Sequence, residues 1–472
     1  MSEDFKKTKP ALKDEFKTQM KALLGAKFDD FLHCLGQKAT RGVVLNKMIM
    51  PTQVIISTTN LNVQSLPFSD CCFKLESEEK LGNTWFHHGG LIYLQEPSSM
   101  VAGAVLSQAL KDKSRPKILD LCASPGGKTI DLSLNFNGNC DILANEINFS
   151  RAKVLFSNIE RLALNNISVV SNSPQEISKS CYEEFDGILV DAPCSGEGMF
   201  RKDPLTISEW TPDLPNINQK RQKEILKSAV SCLKVGGFLV YSTCTYNTLE
   251  NEDVINFAVS ELGLKILPVN KVIAELTEDG FIKGGNESLK LARRMFVGGK
   301  LGEGQFVCLM QKTQNSSNFS EKTAKNTKKP QKDFKNQQNA NLKITREFLF
   351  ETLKKQPKDD IKIIGDQVFL TDGNLCFVNL NYLSLGINIG QIKNGRMIPA
   401  HQFFKTMASD FKNVVNLNFN EAKSFLAGEE LSCCENLSGF CAVFYSGVCL
   451  GGAKASGGRL KNYYPKGLRT KL

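Results

Sequence analysis

The sequence lacks hydrophobic runs of the length that a membrane requires. None of its 472 residues belongs to an apolar stretch of about 18 residues, so we expect no membrane-spanning helix. The first ten residues, MSEDFKKTKP, also lack the apolar centre of a secretory signal. These absences predict a cytoplasmic protein that does not act with a membrane.

The fifteen cysteines lack the spacings of metal sites and redox pairs. No two of them form a C-x-x-C pair, and the doublets Cys71–Cys72 and Cys433–Cys434 are not spaced as metal ligands. None of the four histidines is near Cys194 or Cys244 in sequence. We therefore predict no metal site, and a reduced protein in which most thiols are small apolar side chains.

Basic residues are concentrated in two segments of a chain whose net charge is +10. Residues 312–342 contain seven lysines, two acids and few apolar residues, which predicts a flexible basic linker over 313–342. Residues 451–472 carry six basic residues and no acid, with Tyr463 and Tyr464 among them. Such segments either improve solubility or attract nucleic-acid phosphates, and the tyrosines suit stacking on bases.

Buried strands alternate with helices through the middle of the sequence. This order predicts a parallel sheet with helical crossovers. The predicted strands are 118–121, 140–148, 167–172, 186–191 and 236–246, and the predicted helices are 98–111, 149–164 and 219–233. Another strand, at 305–310, is predicted to be antiparallel. Ligands of such sheets bind at the carboxyl ends of the strands, so residues there are candidates for function.

A glycine-containing loop follows the first predicted strand. Pro125, Gly126 and Gly127 precede a helix, and such a loop lets backbone N–H groups approach a ligand. The loop has neither the phosphate-loop nor the G-x-G-x-x-G spacing, and a plain tight turn is the alternative. Glu146 ends the second strand, where an acid commonly accepts hydrogen bonds from ribose hydroxyls. Capping of the next helix explains Glu146 equally well.

Two cysteines lie just beyond the ends of predicted strands. Cys194 is three residues past Asp191, and Cys244 follows the strand that begins at 236. A redox pair usually has the C-x-x-C spacing, and a metal site would need nearby histidines. Structural burial is the usual role of a cysteine, but it is less expected for these two because both lie past a strand end. Covalent catalysis on a pyrimidine is the fourth interpretation.

That catalysis requires the residue types found here. Carbon 5 of cytosine is a poor nucleophile, but addition of a thiolate to carbon 6 lets carbon 5 attack an electrophilic methyl group. An acid can bind N3 and the exocyclic edge as charge builds, and another group must assist elimination. Asp191, Cys194 and Cys244 supply these groups, although the residues alone do not order the two thiols.

Longer motifs occur in a fixed order along the chain. They are RGVVLNKM (41–48), LQEPSSM (94–100), LDLCASPGGKT (119–129), ANE (144–146), VDAPCSGEGMFRKDP (190–204), VYSTCTYNTLENE (240–252) and RRMFVGGKLGEGQF (293–306). With Arg151 and Gln222, they resemble the RNA cytosine-C5 methyltransferases that use S-adenosylmethionine, over about residues 35–312. The segments GINIGQIKNGRMIPAHQF and LKNYYPKGLR are similar to the PUA-like RNA-binding tail domain of the RsmF type of bacterial 16S ribosomal-RNA enzymes.

The resemblance implies a role for each matching residue. Cys244 would be the nucleophile, Cys194 the cysteine needed for product release, and Asp191 would lie between cofactor and cytosine. Glu146 would bind the ribose hydroxyls, and Arg151 would lie near the cofactor carboxylate or support the loop. The loop that would hold S-adenosylmethionine comprises Cys122, Ala123, Ser124, Pro125, Gly126, Gly127 and Lys128.

The sequence departs from the family pattern at three places. The usual acid at the end of the third strand is absent, so Asn172, Ser173 or the backbone would contact adenine instead. Asn247 and Thr248 replace a proline after the nucleophile, and Asn247 with Glu250 has the spacing of a helix capping box. Phe296 stands where a Pro-His pair is common, which we interpret as tuning of a loop.

These observations predict an α/β protein of four parts. An N-terminal α+β RNA-binding extension (1–97) precedes a Rossmann-like S-adenosylmethionine-dependent domain (98–312), the basic linker (313–342) and a β-rich PUA-like RNA-binding domain (343–472). The predicted function is formation of 5-methylcytosine in 16S ribosomal RNA by a monomer. The alternatives are the same reaction on transfer RNA, and a catalytically silent RNA-binding ribosome-assembly factor.

Overall fold

A computed structural model describes residues 10–314 and 332–470 of the chain. These residues form an N-terminal α+β part, a central α/β part and a C-terminal part rich in strands, which confirms the predicted fold class. Within the described ranges, no helix has both the length and the apolar character needed to cross a membrane. Most of the predicted basic linker, residues 315–331, lies outside the described residues.

The N-terminal part combines short helices with a four-stranded antiparallel sheet. Its sheet has the order β2-β3-β1-β4. The elements are α1 (Asp14–Leu24), α2 (Phe28–Leu35), β1 (Gly42–Leu45), α3 (Thr52–Thr59), β2 (Val63–Ser65), β3 (Cys72–Leu75), α4 (Trp85–His88) and β4 (Ile92–Leu94). Helix α1 buries Phe16 and Met20, which are four residues apart, and α2 buries Phe28, Phe31 and Leu35, so each helix has one buried apolar face.

The central part is a mostly parallel sheet with helices between its strands. Five strands that are buried along nearly their whole length run parallel in the order β9-β8-β5-β6-β7, as the alternating pattern predicts. The elements up to the fifth strand are α5 (Pro97–Ala109), β5 (Lys117–Asp120), α6 (Gly127–Asn135), β6 (Asp141–Asn145), α7 (Phe149–Arg161), β7 (Ile167–Val170), α8 (Pro174–Ser180), β8 (Phe185–Asp191), α9 (Leu205–Glu209), α10 (Leu214–Cys232) and β9 (Leu233–Thr243).

The last strands of the central part extend the sheet beyond β9. The elements are α11 (Glu252–Leu262), β10 (Leu264–Leu267), α12 (Lys271–Leu276), β11 (Glu278–Asp279), β12 (Arg293–Met295) and β13 (Gln305–Lys312). Strand β13 pairs antiparallel with β9, with Phe306 opposite Thr243, so the predicted late antiparallel strand is confirmed. The carboxyl ends of β5, β6, β8 and β9 therefore meet along one edge of the sheet.

The C-terminal part contains two further sheets. One has the order β14-β15-β17-β18 and the other the order β19-β21-β22-β23-β20. The elements are α13 (Lys332–Thr352), β14 (Asp360–Ile364), β15 (Gln367–Thr371), β16 (Tyr382–Ser384), β17 (Ile387–Lys393), β18 (Arg396–Pro399), α14 (His401–Thr406), β19 (Asn413–Asn416), α15 (Phe419–Ala427), β20 (Leu431–Ser432), β21 (Gly439–Tyr445), β22 (Val448–Ser456) and β23 (Arg459–Asn462). Helix α13 begins inside the predicted linker, so that boundary is wrong.

Strand β16 belongs to the central sheet although it lies in the C-terminal part of the sequence. Tyr382 pairs with Val170 of β7, and Ser384 pairs with Val169. The preceding stretch LCFVNL (375–380), which alternation suggested as a strand, is instead a turn whose Leu375 packs into the core beneath β8. The C-terminal part is thus joined to the central part through backbone hydrogen bonds.

Tyr464 is a core residue, contrary to its predicted role in stacking on nucleic-acid bases. It is 1% exposed, and its hydroxyl is 2.9 Å from Nδ1 of His88 in the N-terminal part. Arg161 of the central part donates to the carbonyl of His87 nearby, and Lys405 donates to the carbonyl of Gly89 at 2.6 Å. The N-terminal, central and C-terminal parts of the chain therefore contact one another through a cluster of buried polar groups.

We expect the substitution His88→Gln to reduce the acid sensitivity of folding. Burial, and then the charges of Arg161 and Lys405, lower the pKa of His88 to about 4, against 6.5 for a free histidine. Because the unfolded chain binds the proton first, the stabilisation is complete above pH 6.5 and is lost as the pH falls towards 4. Between about pH 7.5 and 5, the free energy of unfolding should fall on the order of 1 kcal/mol more for wild type than for His88→Gln.

Urea unfolding at both pH values measures this difference. The control is His33→Gln, which removes an exposed histidine of α2 and should follow wild type at both pH values. Equal pH dependence for wild type and His88→Gln would contradict the prediction.

Candidate active site

The two predicted catalytic cysteines lie side by side at the carboxyl edge of the central sheet. Strand β9 ends at Thr243, which places Cys244 directly past its end. Strand β8 ends at Asp191, and the turn through Pro193 brings Cys194 back over the sheet. The two Sγ atoms are 3.4 Å apart, and both side chains are half-buried. Residues separated by fifty positions in sequence thus form one thiol pair.

The environment of Cys194 keeps its thiol protonated. The hydrogen bond with Cys244 and the burial of the side chain raise the pKa of Cys194 well above its ordinary value. A thiolate at Cys194 would also be repelled by a charge on Cys244 and by Glu250. A thiol is a poor nucleophile, so in this state Cys194 is unsuited to attack.

Asp191 is held in place through both carboxylate oxygens. Its Oδ2 accepts a hydrogen bond from Nζ of Lys128 at 2.8 Å, and its Oδ1 accepts one from Oγ of Ser242 at 2.7 Å. Burial lowers the pKa of Lys128, but the charge and hydrogen bond of Asp191 outweigh that effect and raise it. The pair therefore places a fixed positive and negative charge next to the thiols.

A buried carboxylate, Glu250, joins the two cysteine loops. It accepts hydrogen bonds from the backbone N–H of Ser195 at 2.9 Å, from the hydroxyl of Ser195, and from Nε2 of Gln222 at 3.0 Å. Gln222 also donates to the carbonyl of Pro193 at 2.9 Å, and Ser195 Oγ is 2.8 Å from Oγ1 of Thr245. Burial raises the pKa of Glu250 to about 7. These bonds fix the backbone on both sides of the thiol pair.

The predicted capping box at Asn247 and Glu250 is wrong. Helix α11 begins at Glu252, and no side chain caps it at Asn251. Glu250 instead binds the buried hydroxyl of Ser195. This tertiary contact overrides the capping-box spacing, which is only a local pattern. Phe296, predicted to tune a loop, stacks on the ring of Tyr246 at 5.4 Å, close behind the nucleophile.

The N-terminal helix α1 contacts polar residues behind the nucleophile, a position that the sequence pattern does not predict. Its Gln19 donates from Nε2 to Oε1 of Glu197 at 3.0 Å and accepts at Oε1 from Asn247 at 3.1 Å. Glu197 also accepts from Nε1 of Trp210 and from the backbone N–H of Tyr246, at 3.1 Å each. Helical periodicity identifies the buried face of α1 but carries no signal for these polar contacts.

A cavity of about 650 Å³ opens at the ends of β5, β6 and β8. Its wall includes Glu146, Ile147 and Arg151, together with Asp191 and both cysteines. Cys122 and Ser124 of the predicted cofactor loop also line it. Gly126 has a φ of 116°, which a residue with a side chain rarely adopts, and it allows the loop to turn into α6.

Glu146 and Arg151 support the cavity from one side. Glu146 is 3% exposed, and its Oε1 accepts a hydrogen bond from the backbone N–H of Asn148 at 2.9 Å. Arg151 lies 3.4 Å from Oε2 of Glu146 and donates to the carbonyl of Ser124 at 3.0 Å. Glu146 therefore lines the cavity and binds the backbone of Asn148, but the side chain that caps α7 is that of Asn148, not that of Glu146.

Asn172 does not line this cavity. Its Oδ1 accepts a hydrogen bond from the backbone N–H of Asn381 at 2.9 Å, and its Nδ2 faces Glu176. Ser173, the other predicted substitute, caps α8 in a capping box with Glu176. The cavity wall is formed instead by the next two residues, Pro174 and Gln175. The predicted role of the Asn172 side chain is therefore not supported.

A second cavity of about 410 Å³ lies on the other side of Asp191 and Cys244, which line both cavities. Ala123, Pro125, Gly127 and Lys128 of the loop line this second cavity. A Cβ at Gly127 would lie 2.9 Å from the side chain of Gln95, so any larger residue there would require Gln95 to move.

Sequence reasoning gave no individual role to Gln95 and Glu96 of the motif LQEPSSM, which also line the second cavity. Burial raises the pKa of Glu96 to about 7.

Comparison with known proteins agrees with the geometry. The fold and the paired cavities define an S-adenosylmethionine-dependent methyltransferase. Residues 107–311 match the family described as 16S rRNA methyltransferase RsmB/F, residues 12–97 match the N-terminal domain of 16S rRNA methyltransferase RsmF, and residues 412–470 match the methyltransferase RsmF PUA domain. The chain thus matches the RsmB/F methyltransferase family together with the N-terminal and PUA domains of RsmF, over these residues.

Relatives and solved structures support this assignment. Proteins named ribosomal RNA small subunit methyltransferase F are 28% identical in Shewanella amazonensis, over 93% of this chain and 94% of the relative, and 29% identical in Escherichia coli O157:H7, over 96% of each. A methyltransferase homolog protein from Pyrococcus horikoshii has a TM-score of 0.56 and 27% identity, covering 63% of this chain and 94% of that one. NSun6 from the same organism, solved with SFG, shares the fold at a TM-score of 0.55 and 18% identity, over 65% and 99% of the two chains.

We expect the substitution Glu146→Ala to weaken S-adenosylmethionine binding. The 650 Å³ cavity is large enough for the cofactor, and the Glu146 carboxylate is its one fully buried acid that can accept hydroxyl hydrogen bonds there. Loss of charge-assisted hydrogen bonds should raise the dissociation constant by roughly 10-fold or more. Isothermal titration measures it, with Glu261→Ala, an exposed acid of α11, as the control. Unchanged affinity in Glu146→Ala would exclude the assigned role.

Proposed function

We propose that this chain methylates carbon 5 of a cytosine in 16S ribosomal RNA through a covalent bond between Cys244 and carbon 6. The observation that carries the proposal is the thiol pair, 3.4 Å apart, in which Cys244 lines both cavities and Cys194 lines the larger one. One cavity suits the methyl donor and the other suits a base that has left its stack. A base must be flipped out for carbon 6 to be reached.

The residues of this chain divide the chemistry between them. Cys244 adds as thiolate to carbon 6, and the electron pair of the 5,6 double bond moves towards carbon 5 and N3. Asp191, fixed by Lys128 and Ser242, accepts a hydrogen bond from the exocyclic amine of the base, and the ammonium of Lys128 offsets the negative charge that develops at N3. S-adenosylmethionine, bound beside Cys122, Ser124 and Glu146 with support from Arg151, would supply the electrophilic methyl group.

Release requires a base for the proton on carbon 5, and Cys194 is placed for that role. The bond to carbon 6 turns the sulfur of Cys244 into a neutral thioether. This removes the hydrogen bond that is the largest cause of the raised pKa of Cys194. Cys194 thus becomes more acidic once the bond between Cys244 and carbon 6 has formed, before its base role is needed. Loss of the carbon 5 proton then restores the 5,6 double bond and expels the Cys244 thiolate.

The substrate assignment rests on the relatives and on charge. The similar proteins are named for the small-subunit ribosomal RNA, and the C-terminal part matches a PUA domain. The chain has a net charge of +10, which suits a polyanionic substrate. All fifteen cysteines are free, which suits a reducing cytoplasm. Both cavities are built from one chain, so a monomer would suffice.

The first experiment traps the covalent intermediate. The variant Cys194→Ala is incubated with S-adenosylmethionine and the organism's own 16S ribosomal RNA, then run on a denaturing gel. We expect a slowly migrating protein–RNA adduct, because attack is intact and release is blocked. The double variant Cys194→Ala/Cys244→Ala should form none. Cys376→Ala, which removes an exposed thiol far from the site, should turn over like wild type.

The outcomes separate the alternatives. An adduct with transfer RNA but not with ribosomal RNA would keep the mechanism and replace the substrate. No adduct with either RNA, together with no methyl transfer by wild type, would reject catalysis and favour an RNA-binding assembly factor.

A further inference from the structure

Gln305 is a buried residue whose side-chain donor has no partner. The residue is 2% exposed, and its Nε2 atom makes no hydrogen bond within the described part of the chain. Buried amide donors are nearly always paired, because an unpaired one costs about 1–3 kcal/mol. The cost is understandable if a ligand provides the missing acceptor.

The strand register places Gln305 next to the nucleophile. Strands β13 and β9 are antiparallel, with Phe306 opposite Thr243. One step further along this register, Gln305 stands opposite Cys244. Directly opposite residues in an antiparallel pair project to the same face, with Cβ atoms about 5 Å apart. Gln305 and Cys244 accordingly line the same cavity of about 410 Å³.

The backbone around this pair is closely packed, so the amide has little freedom to find another partner. A Cβ at Gly198 would lie 2.6 Å from the carbonyl of Gly304 and 2.9 Å from that of Cys244. A Cβ at Gly304 would lie 2.4 Å from the ring of Tyr246. There is thus direct contact among three segments: the backbone that follows Cys244, the backbone at Gly198, and the start of β13.

We propose that Nε2 of Gln305 donates a hydrogen bond to the O2 carbonyl of the target pyrimidine, an inference that rests on the proposed function. Carbon 6, the atom that Cys244 attacks, is separated from the C2 carbonyl by N1 alone. Gln305 lines the 410 Å³ cavity but not the cofactor cavity, from which the methyl group approaches carbon 5, so its donor faces the O2 side of the ring. Asp191 and Lys128 are left to bind the N3 and exocyclic side.

This contact assists the reaction as well as binding. Addition of the thiolate moves electron density through the conjugated ring onto N3 and O2. A fixed donor at O2 therefore binds the transition state more tightly than the ground state. The structure assigns Gln305 both tasks: it orients the ring over Cys244, and it stabilises the charge that attack creates.

The test replaces the donor with an apolar group of similar size. Because removal of one good donor to a developing oxyanion costs about 100-fold, we expect Gln305→Leu to reduce kcat on the 16S ribosomal-RNA transcript by about that factor. Adduct formation should slow equally when Gln305→Leu is combined with Cys194→Ala. Affinity for S-adenosylmethionine should stay unchanged, because Gln305 does not line the 650 Å³ cavity. The melting temperature should not fall, because the substitution removes a buried donor that has no partner.

A matched control lies on the same strand. Gln311 is near the other end of β13, where its Nε2 donates to the carbonyl of Gly236 at 3.0 Å. Gln311→Leu should leave both adduct formation and kcat at the wild-type level.

A second substrate tests the contact atom itself. The cytosine mapped from the Cys194→Ala adduct is replaced by 2-thiocytosine in a ligated transcript, because a thiocarbonyl accepts hydrogen bonds poorly. Wild type should methylate this RNA more slowly than the cytosine transcript. The loss of rate should be at least several-fold smaller for Gln305→Leu, which has no donor to lose.

The outcomes distinguish this inference from the function on which it rests. If wild type and Cys194→Ala react as proposed while Gln305→Leu matches wild type, only the role of Gln305 is rejected. An equal penalty from 2-thiocytosine in both proteins would reject O2 as its partner. If the Cys194→Ala variant, which retains Gln305, forms no adduct, the proposed function itself is rejected.

Discussion

The carboxylate of Glu250 is the contact on which the active site depends. Two loops that leave neighbouring strands would diverge if each were held only by its own strand. Glu250 binds the backbone and hydroxyl of Ser195 from one loop, and Ser195 contacts Thr245 of the other. Gln222 closes the arrangement by binding both Glu250 and Pro193. The separation of 3.4 Å between the thiols follows from this buried network.

The three parts of the chain converge on the same small region. Helix α1 supports the nucleophile turn through Gln19 and Glu197, and the aromatic residues Phe16, Phe31, Phe200 and Trp210 seal that contact in one apolar cluster. The C-terminal part binds the opposite side, where Asn381 holds the end of β7 through Ser171 and Asn172. Regions of the sequence that suggest only scaffold or RNA binding therefore also shape the catalytic centre.

Sequence reasoning was most successful where chemistry and local pattern coincide. The five parallel strands are short buried runs bounded by turns, and Cys194, Cys244, Asp191 and Glu146 could be placed because each follows such a run. The resemblance, rather than spacing, gave the order of the two thiols. Glu250 illustrates the limit, because its capping-box spacing is real and yet a buried serine in a distant loop binds it instead.

Other failures have the same physical origin. Tyr464 follows a basic segment typical of a nucleic-acid surface, but its ring fills a space between His88, His401 and Phe425 that no local pattern describes. Strand β16 is only three residues long, and its partner β7 precedes it by more than two hundred residues. Gln305 opens a strand and looks like any polar residue at a sheet end; only its register opposite Cys244 distinguishes it.

The pairing of β16 with β7 also constrains how the chain folds as it is synthesised. Until Ser384 has left the ribosome, β7 remains an unpaired sheet edge, and exposed edges promote association with other chains. The loop that leads to α8 lacks its hydrogen bonds to Asn381 during the same interval. All the residues with catalytic chemistry are translated well before this point, so the nascent enzyme carries its reactive thiols before its sheet is complete.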